Sequence, residues 1–168
     1  MNYRKGESDV VDEIRAQWRQ TRPEVDTAVI DVVGRVLRVA ALILRAGDEL
    51  LARHALSRGE FDILSALRRA GGPQSPGTLR TVGLATGPAT TKRLRALVDQ
   101  GLVTRSVNPD DGRGAFISLT RAGARLVDRV LPELLDVERT LIADVPRAER
   151  TALTSSLRGL LVSVEARV

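Results

Sequence analysis

The stretch between residues 57 and 119 is divided into short segments by strong helix-start and helix-stop signals, which limit the possible folds more than any other feature. Ser57–Glu60 reads Ser-Arg-Gly-Glu, the spacing of a capping box in which both polar side chains bond the first free amides of a helix. Leu56 and Phe61 occupy the flanking hydrophobic-staple positions. Gly71-Gly72-Pro73 then stops the helix. The pattern predicts a helix from just after Ser57 to just before Gly71.

Two further helices follow this capped helix. The first has Ser75 at its N-cap and Pro76 at its first position, and it ends near Gly83. After a turn over residues 84–87, the second runs from Pro88 to about Gln100 and is closed by a glycine. Two helices joined by a tight glycine-containing turn form the helix-turn-helix pattern.

A β-hairpin is predicted next, with strands over 102–107 and 115–119. The residues between them, 108–114, are rich in Asn, Pro, Asp and Gly, which favour turns. Thr120 can cap a further helix, interrupted at Pro132, and a last apolar-faced helix runs from near Pro146 to about Arg167.

The N-terminal third is predicted to be helical as well. Val11, Ile14 and Trp18 have the spacing of one helix face in a helix from about Ser8 to Gln20. A second helix of about 30 residues is predicted from Glu24 to Arg53, at 3.6 residues per turn. Its apolar residues cover more than one narrow stripe, so we expect part of it to face a second subunit.

The predicted architecture is mainly α with a small β-wing. Residues 1–168 form a single winged-helix unit, in which 57–120 is the winged helix-turn-helix DNA-binding region. Residues 8–53 and 121–168 are mainly dimerisation helices, so we expect a homodimer.

Composition narrows the possible functions. The net charge of +5 and pI of about 10.8 favour a polyanionic partner such as nucleic acid. The chain has no Cys and one His, which argues against disulfides, a Cys/His metal site and most nucleophilic catalysis. We attribute His54, which follows the second helix, to a dipole contact. With no membrane span, signal peptide or cofactor motif in the sequence, we expect a cytoplasmic protein without a cofactor.

The helix that begins at Pro88 has the pattern of a recognition helix. Its packed arc spans about 120° at 100° per residue, and comprises Thr90, Thr91, Leu94, Leu97 and Val98. Small and basic residues lie outside that arc in the N-terminal turns, where a recognition helix meets base edges. The predicted double-stranded DNA contacts on this helix are Pro88, Ala89, Thr90, Lys92 and Arg95. An ordinary amphipathic helix has the same pattern, but the capped helix before it and the hairpin after it favour DNA.

The hairpin tip places Arg113 between two glycines. Glycines give the tip little bulk, so it can enter a narrow groove, whose negative potential attracts an arginine. We therefore predict that Arg113 also contacts DNA; a solvated turn is the alternative interpretation.

Four segments together resemble the MarR family of winged-helix regulators, over nearly the whole chain. They are Leu56–Leu64, Gly101–Arg105, Asp110–Gly114 and Leu119–Gly123. The resemblance implies a dimeric, sequence-specific DNA-binding transcription regulator.

The N-terminal helix with its tryptophan, followed by Thr21-Arg22-Pro23, resembles the urate-responsive branch of that family. The branch has a ligand pocket built from a Trp, an Asp and two Arg, and the resemblance places these roles on Trp18, Asp62, Arg93 and Arg105. It thus implies a repressor released from a pseudo-palindromic operator by a small anionic effector such as urate or another purine. An aromatic plane and two guanidinium groups suit such a ligand. From the residues alone, Asp62 and Arg93 could equally form a structural pair, and Trp18 could be core.

Three alternatives stay open. The same fold could respond to a tricarboxylate or a guanine nucleotide, or it could be an architectural DNA-binding protein without a ligand. An enzyme acting on a purine or organic acid is disfavoured by the absent Cys, the single His and the lack of a phosphate-cradling Gly motif.

Overall fold

The computed structural model describes residues 6–82, 87–107 and 115–167, and the chain divides into two compact units. We call Leu44–Val137 the winged unit. The terminal unit comprises the described residues up to Ile43 and those from Glu138 onward. The winged unit thus extends on both sides of the region 57–120 that the sequence predicts to bind DNA.

The described residues form helices and one small sheet, which confirms the predicted mainly α fold with a β-wing. In chain order the elements are α1 (Val10–Thr21), α2 (Ile30–Arg53), α3 (Arg58–Ala70), α4 (Pro76–Val82), α5 (Gly87–Asp99), β1 (Val103–Val107), β2 (Ala115–Leu119), α6 (Arg121–Leu141) and α7 (Arg147–Glu165).

The core of the winged unit is aliphatic and lies around α3. Its most deeply buried side chains come from α2, α3, α5, both strands and α6: Leu51, Leu64, Leu67, Leu97, Val103, Ile117, Val127 and Val130. Burial of branched aliphatic side chains stabilises the unit by roughly 1.5–3 kcal/mol for each one fully buried. This core fixes the positions of α3 and α5 relative to the wing.

Helix α3 has the boundaries that its capping signals predict. The Ser57 hydroxyl accepts a bond from the Glu60 amide, and the Glu60 carboxylate accepts one from the Ser57 amide at 2.8 Å. Leu56 and Phe61 are each 4% exposed, as the staple requires. Gly71 closes the helix at φ 68°, a left-handed conformation that glycine adopts without strain.

The wing is a two-stranded antiparallel sheet anchored at its base. Val103 pairs with Leu119 and Val107 with Ala115, while Gln74 adds an isolated bridge to Ile117. The Thr120 hydroxyl donates to backbone carbonyl oxygens at the end of α5 and accepts from the Gly123 amide at 3.0 Å. The recognition helix, the wing and α6 are therefore joined at one point.

Two predicted features of the helices are wrong. Helix α2 begins at Ile30 rather than near Glu24, because the Asp26 carboxylate accepts a bond from the Ala28 amide and holds a turn there. Helix α6 runs continuously through Pro132 instead of breaking. Pro132 lies on the exposed side of α6, as does Asp128, so water can serve the carbonyl that proline leaves unbonded.

In the terminal unit, ion pairs fasten α1 to the beginning of α2. Arg35 donates from Nε to Asp9 at 2.9 Å and from Nη2 to Asp12 at 2.7 Å. Val11, 3% exposed, packs against Gly34. In contrast, α7 contains no buried residue and exposes a row of leucines.

A search of the described helices finds none long and apolar enough to cross a membrane. Over the same described ranges, no group of three or more potential metal ligands comes together.

Candidate nucleic-acid interface

Helix α5 is held by one apolar seam and leaves a basic face uncovered. Leu97 is fully buried and Leu94 is 7% exposed. Pro88, Lys92 and Arg95, three of the predicted DNA contacts, are exposed, and Ala89 is half-buried. The first turn carries no acidic residue. The N-terminal half of α5 can therefore approach a polyanion without charge repulsion.

Thr90 lies on the opposite side from the other predicted contacts. It is 2% exposed because it continues the buried seam of Leu94 and Leu97, at i, i+4 and i+7. This burial contradicts a DNA contact by the Thr90 side chain. Thr91 and Val98, predicted to be packed, are exposed because they fall on the next row of the helix.

Arg113, the predicted minor-groove contact, lies outside the described residues. The strands that carry its loop are described up to Val107 and from Ala115 onward.

Arg105, one of the four predicted effector residues, lies on β1 and lines a groove beside α5. The groove has a volume of about 280 Å³. Its lining combines two guanidinium groups with apolar surface: Pro76, Thr91, Leu94, Arg95, Val98, Arg105 and Ile117. Such a surface suits a small molecule with an anionic group and a flat apolar face.

Arg93 and Asp62, two other predicted effector residues, come together where α5 meets α3. The Arg93 guanidinium lies against Gly59, where an added Cβ would be 2.4 Å from Nε. Glycine at this position therefore lets the arginine of the recognition helix approach the first turn of α3. Among the described residues, neither Arg93 nor Asp62 has a hydrogen bond or an ion pair through its side chain.

Asp62 is half-buried in an electropositive setting. Burial raises the pKa of its carboxyl above the ordinary value, while the guanidinium groups of Arg58, Arg69 and Arg93 act in the opposite direction. Asp48 on α2 adds a second negative charge that raises it further. This carboxyl is coupled to Arg93 through the field rather than by a direct bond.

Trp18 lies in the terminal unit and is 48% exposed, so it is not a core residue there. It lines an open pocket of about 360 Å³ together with residues of the segment between α1 and α2, among them Val25, Val29 and Ile30.

The winged unit thus joins Asp62 to Arg93 and places Arg105 in a separate groove with Arg95. Sequence reasoning did not single out Arg58, whose charge acts on Asp62 more strongly than that of any other arginine. The available signal was the spacing Arg58, Asp62, Ser65, Arg69, which puts four polar residues on one face of α3.

A helix-turn-helix with an exposed basic face, followed directly by a two-stranded wing, defines a winged-helix DNA-binding protein. A model of the MarR family matches residues 54–114. The transcriptional regulator PecS of Dickeya dadantii (strain 3937) is 36% identical over 157 residues, which cover 92% of each chain.

Solved structures agree with this match. A mutant MarR of E. coli complexed with operator DNA superposes with a TM-score of 0.69 at 25% identity, covering 92% of this chain and 99% of that one. MepR of S. aureus, in a complex with DNA, shares the fold with a TM-score of 0.70 at 22% identity, covering 79% and 98%. The chain belongs to the MarR family of winged helix-turn-helix proteins. It is a DNA-binding transcriptional regulator, and its relatives are regulators rather than enzymes, as the sequence predicts.

Proposed function

We propose that the chain is a homodimeric repressor whose binding to a pseudo-palindromic operator is released by a small anionic metabolite, urate or a related purine. The dimer places its two α5 helices in successive major grooves, about 34 Å apart. Lys92 and Arg95 contact bases or phosphates there, and Arg113 enters the adjacent minor groove.

The observation that carries the effector response is the position of Arg93. It belongs to the recognition helix, yet its guanidinium lies on the first turn of α3 beside Asp62, without an ion pair or hydrogen bond among the described residues. A cation so held has unused donors for an anion. An anion bound there pulls Arg93 toward itself, and α5 moves with it.

The effector acts only if it binds the two positions of α5 with different affinity. In the DNA-bound position, Arg93 is oriented by the fields of Asp62 and the neighbouring arginines. With an anion present, a direct charge-assisted bond replaces that weaker interaction. The free energy of this bond opposes operator binding.

A gel-shift titration with an operator fragment tests this proposal. Urate, other purines, guanine nucleotides and tricarboxylates are added to the wild type, to Arg93→Ala and to Arg68→Ala. Arg68 is the matched control, because it lies on α3 but is exposed and paired with Asp128 at 2.8 Å. We expect urate to release the wild type and Arg68→Ala, and to release Arg93→Ala at least tenfold less effectively. If the wild type binds DNA equally with every compound, the protein is a ligand-independent DNA-binding protein.

A second candidate site is the groove of Arg95 and Arg105. An anion there would compete directly with DNA phosphate for Arg95, without any movement of α5. Its supporting observation is the combination of two guanidinium groups with an apolar floor in a groove of about 280 Å³. Loss of the effector response in Arg105→Ala, but not in Arg93→Ala, would assign the response to this groove.

The sequence also predicts that the effector contacts Trp18. Because the chain has a single tryptophan, its fluorescence reports on one position. Saturable quenching by urate is the expected result, and release from DNA without any change in this fluorescence would remove Trp18 from the ligand contacts.

A further inference from the structure

The polar residues of α3 form a half-buried stripe, which we define as Arg58, Asp62, Ser65 and Arg69. Their spacing of four, three and four residues places them within a narrow arc of the helix. A stripe of this composition is unexpected on α3, because the helix is otherwise the centre of the aliphatic core. Polar groups placed there need partners, since burial without a hydrogen bond is costly.

Two members of the stripe have such unmet needs. Ser65 is 7% exposed, and its Oγ is a buried atom without a hydrogen-bond partner in the part of the chain that the structure describes. The same is true of Arg58 Nη2. Asp62, between them, is half-buried and has no ion pair within the described ranges. The stripe therefore offers an N–H donor, a hydroxyl and a carboxylate acceptor, all on one face.

The surroundings of Arg58 hold its guanidinium in place. Nη2 lies over Gly47 of α2, where an added Cβ would be 1.9 Å away, and Leu134 of α6 closes the same spot. Nε donates to Asp48 at 3.3 Å. Arg58 is thus fixed by one bond and by packing, while Nη2 remains available.

We infer that Arg58 and Ser65 are ligand-contacting residues, and that they select for an anionic nitrogen heterocycle carrying N–H groups. This inference rests on the proposed function, because the ligand is its effector. Arg58 Nη2 donates to a ligand acceptor, and the Ser65 hydroxyl donates or accepts. Asp62 accepts from a ligand N–H, and Arg93 pairs with the ligand's negative charge.

The charge balance around the stripe favours this class over a tricarboxylate. Three guanidinium groups and two carboxylates act there, those of Arg58, Arg69, Arg93, Asp48 and Asp62, which leaves one positive charge in excess. A single negative charge neutralises this excess. An ionised tricarboxylate supplies only acceptors, so it would face the Asp62 carboxylate without a donor to offer.

Calorimetric titration of the full-length protein with urate and with citrate tests the inference on four proteins. They are the wild type, Ser65→Ala, Arg58→Lys and the control Arg68→Lys. We expect the wild type to bind urate in preference to citrate. Ser65→Ala should weaken urate binding about 3- to 10-fold, the loss of one hydrogen bond. Arg58→Lys, which removes the planar donor pair, should weaken it more, and Arg68→Lys should not change it.

Thermal stability separates a ligand contact from a structural role. Removing a buried hydroxyl that has no partner should leave the melting temperature of Ser65→Ala unchanged or higher. A lower melting temperature with unchanged urate affinity would make Ser65 structural and overturn the inference. Arg58→Lys retains the charge near Asp48, and a folded Ser65→Ala keeps the test valid even where Arg58→Lys unfolds.

The remaining outcomes are distinct. Urate binding of equal strength in all four proteins overturns the roles of Arg58 and Ser65 and leaves the proposed function intact. Tighter binding of citrate than of urate overturns the ligand class. A wild type that binds neither compound, and stays on DNA with every compound of the gel-shift panel, removes the proposed function and this inference together.

Discussion

Gly59 shows how one missing side chain can connect two helices. The Arg93 guanidinium occupies the space that a Cβ at position 59 would fill, at 2.4 Å from Nε and 2.5 Å from Cζ. Because the displaced atoms are the far end of a flexible side chain, an alanine there would move Arg93 and leave the backbone in place.

We therefore expect Gly59→Ala to fold and to lose the effector response. Alanine favours a helix over glycine by about 1 kcal/mol, so the melting temperature should not fall. The urate concentration that releases DNA should rise at least as much as in Arg93→Ala. Circular-dichroism melting and the gel-shift titration measure the two effects.

Gly159→Ala is the matched control for this substitution. Gly159 lies in α7 with nothing within 4 Å of its added Cβ, so it changes helix propensity alone. A Gly59→Ala protein that releases DNA at the wild-type urate concentration would show that the contact with Arg93 plays no part in the response.

At the scale of the element, α5 divides into a buried seam and a basic face. Lys92→Ala and Arg95→Ala should each weaken operator binding by about 1–3 kcal/mol where the lost contact is to a base. A lost phosphate contact instead reduces the slope of log K against log salt by about one unit. Fluorescence anisotropy at several salt concentrations distinguishes the two cases.

Arg129→Ala is the control for these variants, because Arg129 is an exposed arginine on α6 rather than on α5. It should leave the affinity and the salt slope nearly unchanged. If it weakens binding as much as Lys92→Ala does, the effect comes from net charge and not from a recognition helix.

Helix α1 is held to α2 by carboxylates whose ionisation sets a pH limit. Burial opposes it, but the amides of Val11 and Asp12 and the Arg35 guanidinium hold the pKa of Asp9 below its ordinary value. The Asp9 amide and Arg35 likewise lower the pKa of Asp12. Groups with a depressed pKa stabilise the folded state above their unfolded pKa, and this contribution disappears as the pH falls through the folded value.

We expect α1 to loosen as the pH falls from about 5 toward 2, the window of depressed aspartate pKa values. The emission of Trp18 on α1 should follow this transition in a pH titration. In Arg35→Gln the transition should move toward the ordinary aspartate pKa, because the amide bonds remain and the guanidinium is lost. Identical titrations of the wild type and Arg35→Gln would contradict a role for Arg35 in holding α1.

The sequence predicts elements best where local chemistry decides their ends. Ser57, Gly71 and Gly101 mark boundaries that the structure has, because caps and left-handed glycines act within one turn. The start of α2 was missed because a single Asp26 bond decides it, and Pro132 because its cost depends on which side of α6 is exposed.

The candidate site was predictable only in part, for a similar reason. The family resemblance suggested Asp62 and Arg93, and the structure brings them together. The separate groove of Arg105 depends on β1 lying beside α5. The contacts of Arg58 depend on Gly47 and Leu134, which are distant in sequence. No pattern along the chain contains such contacts.

At the scale of the whole molecule, apolar surface is concentrated in the terminal unit. Helix α7 has no buried residue, although Leu153, Leu157 and Leu161 are 51%, 44% and 58% exposed. The first half of α2 exposes Val29, Val32 and Leu37 in the same way. Contiguous apolar surface of this extent marks an interaction site.

We expect these faces to cover one another between two copies of the chain, giving a particle of about twice 18.2 kDa in sedimentation. The double variant Leu157→Asp/Leu161→Asp should keep its helical circular dichroism, since neither side chain is buried within a protomer. It should sediment as a monomer and bind the operator far more weakly, because each molecule then reaches only one half-site. Ser155→Asp places the same charge on the opposite face of α7 and should remain dimeric. A wild type that is monomeric at micromolar concentration, or a double variant that stays dimeric, would show that these leucines do not form the interface.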